Sequence, residues 1–182
     1  MSGTFRICAL SAAILVCLPR FVLAADCIAA AAHYHGINLH LMQAIVMQES
    51  GGQPEAINCA NRNGSCDFGL TQVNSVHLPR LKTYGVTRND LFNPCVAAFV
   101  GAWILSENFA RMGVTWEAVG AYNAGSYEKR IAYARKIHTK VLAIQSGTLV
   151  PVTIPMHVLA QTARPPREAV AQGLKALKTE PR

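Results

Sequence analysis

Acidic residues are scarce in this sequence, which has 10 Asp and Glu against 17 Lys and Arg and a formal net charge of +7. No two cysteines lie at the Cys-x-x-Cys spacing typical of zinc sites, so we expect no bound metal. No segment alternates apolar and polar residues over the length of a strand, so a sheet is not required. Aromatic residues are not interleaved with the basic ones, and no nucleic-acid motif is visible. We therefore expect no nucleic-acid partner.

The N-terminal segment, residues 1–25, has the pattern of a secretory signal peptide. Arg6 precedes an apolar run over 7–18, and small residues follow at Ala24 and Ala25. The run is shorter than the about 20 residues that a membrane-spanning helix needs. We therefore expect cleavage near Ala24 or Ala25 and a periplasmic protein without a stable membrane span, with an uncleaved anchor as the alternative.

Removal of the signal peptide leaves four cysteines, at Cys27, Cys59, Cys66 and Cys95. An even number in an exported chain indicates disulfides, and three pairings are possible. The short spacing favours Cys59–Cys66, which leaves Cys27–Cys95. In the chain-entropy description the short loop contributes about 2.5 kcal/mol and the long loop about 4.4 kcal/mol. A zinc site built from the same cysteines is the competing interpretation.

The segment 26–147 is long enough for one domain with its own core and is punctuated by helix signals. A first helix over roughly 27–50 is interrupted near Gly36. Asp67 is predicted to cap a short helix that contains 69–75. Later helices are marked by starts at Asn93-Pro94, Thr115 and Ser126 and by stops at Gly113 and Gly147, with the last helix over 127–145. The predicted fold class is all-α, with α+β character at most through minor additions.

The composition changes after residue 147. The segment 148–182 contains five prolines and an excess of basic residues. We predict a Pro-rich basic tail that is mostly disordered. A second basic cluster lies on the last helix of the domain and is interpreted as a solvated face or as a contact to an anionic surface: Lys129, Arg130, Arg135, Lys136 and Lys140.

Glu49 is the residue that most directly indicates chemistry. It ends an apolar helical stripe with Met42, Ile45 and Val46, and Ser50-Gly51-Gly52 follows at once. Burying an ionised carboxylate beside apolar side chains costs several kcal/mol, so this position favours a raised pKa. A Glu with a pKa of about 6 to 7 can donate a proton at neutral pH, as cleavage of a glycosidic bond requires. The alternative is a Glu that points into solvent.

Three motifs follow in order: Glu49-Ser50-Gly51, then Gly69-Leu70-Thr71-Gln72-Val73-Asn74, then Ala121-Tyr122-Asn123-Ala124-Gly125. Together with the stretch CVAAFVGAWIL from Cys95, they resemble the lysozyme-like lytic transglycosylases of the SLT family. The resemblance is strongest to the small exported members associated with type III or type IV secretion, conjugation and pilus machines. It implies a single lysozyme-like helical domain and a peptidoglycan substrate.

The resemblance also implies the reaction: cleavage of the β-1,4 bond between MurNAc and GlcNAc with formation of 1,6-anhydro-MurNAc. Glu49 would act as the acid and then as the base, without a cofactor or metal. A glycosidase with two catalytic carboxylates needs a second acid across the cleft, and the acids that follow Glu49 are Glu55 and Asp67. We interpret Glu55 as an exposed loop residue and Asp67 as a helix cap.

The same resemblance assigns substrate-binding roles to Ser50, Gln72, Asn74, Tyr122 and Asn123. Gln72 would hold an acetamido group or a hydroxyl, and Tyr122 would orient Glu49 or lie against a sugar. Thr71 departs from the family, because most members carry Met at this position at the sugar-binding surface. The five histidines of the segment 26–147 are interpreted as surface or half-buried residues.

Two other functions remain open from the sequence alone. One is a lysozyme-like or chitinase-like hydrolase, in which a water opposite Glu49 attacks the sugar. The other is a non-catalytic glycan-binding scaffold subunit of a secretion or conjugation apparatus. The sequence does not distinguish endo-action from exo-action or identify the role of the tail.

Overall fold

The computed structural model describes residues 26–156. The predicted signal peptide and the segment from residue 157 onward lie outside the described residues. Within the described part, no helix is long and apolar enough to cross a membrane. The α-helices are α1 (Cys27–Tyr34), α2 (Leu39–Glu49), α3 (Leu78–Thr83), α4 (Pro94–Met112), α5 (Trp116–Gly120) and α6 (Tyr127–Gln145), and short 3₁₀ helices span Ser75–His77 and Asn89–Phe92.

The helix starts follow from side chains that accept hydrogen bonds from first-turn amides. Asn93 Oδ1 accepts from the first turn of α4 at 2.9 and 3.3 Å, and Thr115 Oγ1 accepts from the first turn of α5 at 3.1 Å. Asn38 caps α2 after a break at Gly36, so the predicted interruption of the first helix is present. The last helix has its predicted limits, although the side chain of Ser126 makes no capping hydrogen bond.

A small antiparallel sheet contains three two-residue strands in the order β1 (Ile57–Asn58), β2 (Asp67–Phe68) and β3 (Val73–Asn74). The prediction that Asp67 caps a helix over 69–75 is wrong, because Asp67 lies in β2 and pairs with Asn74 of β3. Gly69, at φ +73°, starts the turn between these strands. Two-residue strands are too short to show alternation, so no sequence pattern indicates them. The mostly helical fold class, with strands as minor additions, is confirmed.

Helix α4 lies between two groups of buried side chains. One group connects α4 to α1, α2, α5 and α6, and the other lies between α4, α3 and the sheet. A Cβ at Gly101 of α4 would overlap the side chain of Thr71, so glycine lets the β2–β3 turn approach the helix closely. The largest fully buried side chains of both groups include Trp103, Ile28, Met42, Ile45 and Leu70.

The two disulfides join Cys27 to Cys95 and Cys59 to Cys66, the pairing that the sequence spacing favours. The first bond is fully buried and ties the start of α1 to the start of α4 across 68 residues. The second bond closes the β1–β2 loop across 7 residues. Because of their loop lengths, the first contributes more to global stability and the second shapes one local loop.

Residues 148–156 pack against the helical domain. Ile154 is buried, its amide donates to Asp26 Oδ1 at 2.7 Å, and its carbonyl accepts from the Cys27 amide at 2.7 Å. The Val152 side chain lies against Gly52, just after the end of α2. The predicted domain boundary at residue 147 therefore falls within the folded part, because Ile154 packs at the start of α1 and Val152 packs just after the end of α2.

Candidate active site

Glu49 is the last residue of α2 and lies at the wall of a cleft of about 500 Å³. The same helix buries Met42, Ile45 and Val46 completely. The chain then turns at Gly51, which has a φ of +63°. Helix α2 thus extends from the apolar core to the cleft and places one carboxyl group at the cleft wall. Other lining residues are Asn61, Asp67, Gln72 to Asn74, Val76, His77, Ile104, Arg111, Met112, Ala121 to Gly125 and Arg130.

Burial raises the pKa of Glu49 from 4.5 to about 7. The hydroxyl of Tyr133, on α6, donates a hydrogen bond to Glu49 Oε1 and partly offsets this rise, while the charge of Asp67 adds to it. Burial and the nearby Glu49 charge hold the pKa of Tyr133 well above its usual value, so its hydroxyl remains a donor. Glu49 is therefore able to give and take a proton near neutral pH.

Asp67 is the second carboxylate in the cleft, and asparagine side chains hold it in place. Its Oδ2 accepts from Asn61 Nδ2 at 2.8 Å and from Asn58 Nδ2 at 3.2 Å. Its Oδ1 accepts from Asn74 Nδ2 at 2.6 Å. Asn61 belongs to the disulfide-bonded loop between β1 and β2, and Asn58 is the last residue of β1, just before this loop. This region therefore fixes a negative charge that acts on Glu49.

Gln72 and Asn74 both line the cleft, but hydrogen bonds within the protein occupy several of their side-chain donors and acceptors. The Gln72 side-chain amide donates to Ala56 O at 3.1 Å and to Gly69 O at 3.0 Å. These bonds leave its side-chain carbonyl oxygen as the group available to a sugar. The Asn74 amide donates to Asp67, and its oxygen accepts from the Val76 amide at 3.0 Å. Asn74 thus organises the cleft wall.

Tyr122 lines the cleft on the turn after α5. Its hydroxyl donates to the backbone oxygen of Thr71 at 2.9 Å, so it does not provide the predicted contact that orients Glu49. Burial raises the pKa of Tyr122, and the charge of Glu49 raises it further. The Thr71 side chain is fully buried and donates to Ala97 O at 2.7 Å. Thr71 therefore packs against α4 and does not form part of the sugar-binding surface.

Ser50 and Asn123 occupy different kinds of position. The Ser50 hydroxyl donates to Leu70 O at 2.7 Å and accepts from the Gly52 amide at 3.1 Å. It joins the end of α2 to the β2–β3 turn and is not among the lining residues. Asn123 is exposed at the cleft on the turn between α5 and α6. Glu55 is exposed outside the cleft, as the sequence predicts.

Basic groups also line the cleft. Arg111, in the last turn of α4, and His77, at the end of the Ser75–His77 helix, both line it. Burial lowers the pKa of His77; Glu107 opposes this effect, and the charges of Arg80 and Arg111 add to it. Arg130 is engaged by Glu117 at 3.2 Å. We call the surface of His77 and Arg111 the basic end of the cleft.

The arrangement suits proton transfer by one carboxyl group. Among residues 26–156, no three His, Cys, Asp or Glu side chains form a cluster that could hold a metal ion. The Glu49 carboxyl has a pKa near neutrality and a fixed donor at one oxygen. A polar cleft with such a group can protonate a leaving oxygen and later accept a proton.

Comparison with known proteins agrees with this chemistry. Residues 26–141 match the transglycosylase SLT domain. This chain belongs to the SLT transglycosylase family. It is 47% identical over 118 residues to invasion protein IagB of Salmonella typhimurium, covering 62% of this chain and 73% of that protein. It is 38% identical over 136 residues to protein IpgF of Shigella flexneri, covering 72% and 89%. It is 38% identical over 113 residues to a peptidoglycan-binding-like protein of Escherichia coli O157:H7, covering 56% and 68%.

The SLT transglycosylase domain therefore includes the whole cleft, since every lining residue lies within the matched segment. Sequence reasoning missed the contact of Tyr133 with Glu49. A signal was present, because Tyr133 lies on the apolar stripe of α6 with Ala134 and Ile137. A buried tyrosine needs a partner for its hydroxyl, and Glu49 is the partner in this SLT domain.

Proposed function

We propose that this SLT-family protein is a peptidoglycan lytic transglycosylase that cleaves the β-1,4 bond between MurNAc and GlcNAc and forms 1,6-anhydro-MurNAc. The observation that carries this proposal is the burial of Glu49 at the cleft wall, with a pKa raised to about 7. The hydrogen bond from Tyr133 supports it, because this bond fixes one carboxyl oxygen. Family membership supports peptidoglycan as the substrate.

The proposed reaction uses Glu49 twice. In the first step the protonated carboxyl gives its proton to the glycosidic oxygen, and the bond between that oxygen and C1 of MurNAc breaks. The N-acetyl group of the substrate stabilises the positive charge at C1. In the second step the Glu49 carboxylate takes the proton of the MurNAc 6-hydroxyl as O6 bonds to C1. The proton balance closes without water, so a pKa near neutrality serves both steps.

The other predicted site residues divide into two roles under this proposal. Gln72 offers a carbonyl oxygen to an amide or hydroxyl of the glycan, and the Tyr122 ring and Asn123 line its path. Ser50 and Asn74 position the cleft through the β2–β3 turn and Asp67. Tyr133 joins the second group as the residue that orients Glu49.

We further propose that the protein is exported to the periplasm and opens the wall locally for a secretion, conjugation or pilus apparatus. The disulfides fit an oxidising compartment. A relative carries the name invasion protein, and another carries the name peptidoglycan-binding-like protein. These names support a task at the cell wall. The test is deletion of the gene, restored by wild type or by Glu49→Gln, with assembly of each candidate apparatus as the readout.

The reaction is tested by mass spectrometry of muropeptides released from purified peptidoglycan. The protein is used without residues 1–25 and with both disulfides formed, and Glu49→Gln is the control. Products with 1,6-anhydro ends that are absent from the control are the expected result. An absence of release by the wild type would contradict an enzymatic role and favour the scaffold hypothesis.

A lysozyme-like hydrolase is the second candidate, because Asp67 places another carboxylate in the same cleft. In that reaction Asp67 would direct a water to C1, and the products would carry reducing ends. The three amide donors around Asp67 favour a fixed charge over a base that must take up a proton. Asp67→Asn tests the alternative: loss of reducing-end products with anhydro products retained would support hydrolysis by the wild type.

A further inference from the structure

The two charged parts of the cleft act on different groups. Burial is the main cause of the raised pKa of Glu49 and of the lowered pKa of His77; the charge of Asp67 adds to the first effect and the charges of Arg80 and Arg111 add to the second. The cleft lining includes the carboxyl groups of Glu49 and Asp67 in addition to the basic end defined above. The proposed reaction uses Glu49 and gives no role to a cation at the basic end.

Arg111 is oriented by a neutral neighbour and not by an acid. Its Nη2 donates to Asn108 Oδ1 at 2.5 Å, and Asn108 is only 2% exposed. The acid one helical turn earlier, Glu107, pairs instead with Arg80 at 2.7 Å. Among the ion pairs between residues 26 and 156, none includes Arg111. Arg111 is thus an exposed residue that lines the cleft, is oriented by one hydrogen bond and has no carboxylate partner among the described residues.

An arginine that lines the cleft without an acidic partner in the described part of the chain is suited to bind an anionic ligand. A guanidinium presents a planar fork of donors that matches a carboxylate, and such charge-assisted hydrogen bonds are stronger than neutral ones. The sugar rings, hydroxyls and acetamido groups of a glycan strand are neutral. Its anions are the carboxylates of the stem peptides, or the lactyl carboxylate where the peptide has been removed. The carboxyl groups of Glu49 and Asp67 disfavour both anions, whereas the guanidinium of Arg111 attracts them.

We propose that Arg111, at the basic end of the cleft, binds a carboxylate of the stem peptide attached to MurNAc, so that the enzyme selects peptide-bearing strands. The inference rests on the proposed peptidoglycan substrate and adds a specificity for the peptide. His77 extends the same surface as a half-buried side chain. Asn108 is a positioning residue, because its side-chain oxygen sets the direction of the guanidinium.

The test compares two substrates: glycan strands with intact stem peptides, and the same strands stripped by an amidase, which leaves a free lactyl carboxylate. Each kcat/KM is measured for the wild type, Arg111→Gln, Arg111→Lys and Arg135→Gln. Arg135 lies on the exposed surface of α6 outside the cleft and provides the matched loss of one charge. Thermal unfolding of each variant checks that the fold is kept.

The expected result is a fall of about 10-fold in the ratio of kcat/KM for peptide-bearing over stripped strands in Arg111→Gln, the size of one charge-assisted hydrogen bond. Arg111→Lys restores part of the ratio, and Arg135→Gln leaves it unchanged. An unchanged ratio in Arg111→Gln would overturn the inference, and a loss confined to stripped strands would assign the lactyl carboxylate instead.

A failure of the transglycosylase proposal can be distinguished from a failure of the inference about Arg111. Reducing-end products from the wild type would refute the transglycosylase proposal, while the ratio would still report on Arg111. If the wild type releases nothing, the same ratio is measured as binding affinity for the two kinds of strand, with the same variants. Equal loss of affinity for both strands in Arg111→Gln would then contradict peptide recognition.

Discussion

Replacing Glu49 by Gln is expected to abolish turnover and, at the same time, to stabilise the folded protein at alkaline pH. The neutral amide resembles the protonated carboxyl, and its oxygen can still accept the hydrogen bond from Tyr133. The wild-type carboxylate instead must be buried as an ion close to Asp67 and the hydroxyl of Tyr122, whose pKa it raises. Activity and stability therefore change in opposite directions.

The magnitude follows from the pKa of Glu49, which is 4.5 without the fold and about 7 in the folded protein. Between these pH values the folded state keeps a proton that the unfolded state has released. Wild-type stability therefore falls as the pH rises through this window and levels off above it. A change of this size corresponds to about 3 kcal/mol. Glu49→Gln lacks this titration, so its free energy of unfolding relative to the wild type increases by about 3 kcal/mol from low to high pH.

The assay is equilibrium unfolding in urea at pH 4.5, 6 and 8 with both disulfides intact. Glu128→Gln, which removes one charge from the exposed surface of α6, reports the effect of the same substitution outside the cleft. The stability difference between Glu49→Gln and the wild type should increase steadily across the three pH values. A difference that is constant with pH, or a variant that is less stable at pH 8, would refute the reasoning about buried charge.

Three further predictions test the surroundings of the Glu49 carboxyl. In Tyr133→Phe, loss of the hydrogen bond raises the pKa of Glu49 and leaves its carboxyl group without a fixed orientation. The alkaline limb of the pH–rate profile therefore moves to higher pH, and kcat falls by about 10-fold. An unchanged profile would contradict the assigned contact. Replacing both Cys59 and Cys66 by Ser lowers the unfolding free energy by about 2.5 kcal/mol and reduces activity on glycan strands, and full activity would show that the bond does not shape the cleft. In Gly69→Ala, a side chain at positive φ meets a backbone carbonyl, and a loss of more than about 4 kcal/mol is expected in urea unfolding.

The helices could be predicted because the residues that start and end them are adjacent to their boundaries in the sequence. Asn93 followed by Pro, and Thr115 before an apolar turn, supply their own hydrogen-bond acceptors to the first-turn amides. Gly113 and Gly147, both at positive φ, then end α4 and α6. The end of α2 at Glu49 was also readable, since the apolar stripe and the following glycines are adjacent in the sequence. None of these features needs a distant residue.

The surroundings of the carboxyl could not be predicted in the same way, because they depend on distant segments. Tyr133 reaches Glu49 across 84 residues, and the sequence shows only that a tyrosine lies on an apolar stripe. Asp67 was misassigned for a physical reason: an Asp side chain can either cap a helix or accept hydrogen bonds from side-chain amides. Asn58, Asn61 and Asn74 supply those amides here, and only the fold brings all of them to one carboxylate.

These distant contacts also bear on the proposed reaction, in which one carboxyl group serves two successive proton transfers. Burial alone would raise the pKa of Glu49 and leave a weak acid that rarely ionises, whereas the hydrogen bond from Tyr133 stabilises the ionised form. Asp67 works in the opposite direction and disfavours the negative charge on Glu49. A pKa of about 7 is the balance of these opposing effects. In the proposed reaction, a carboxyl group with this pKa would give its proton to the leaving oxygen and take one from the 6-hydroxyl with little free-energy penalty in either direction, as a reaction without a second catalytic carboxylate requires.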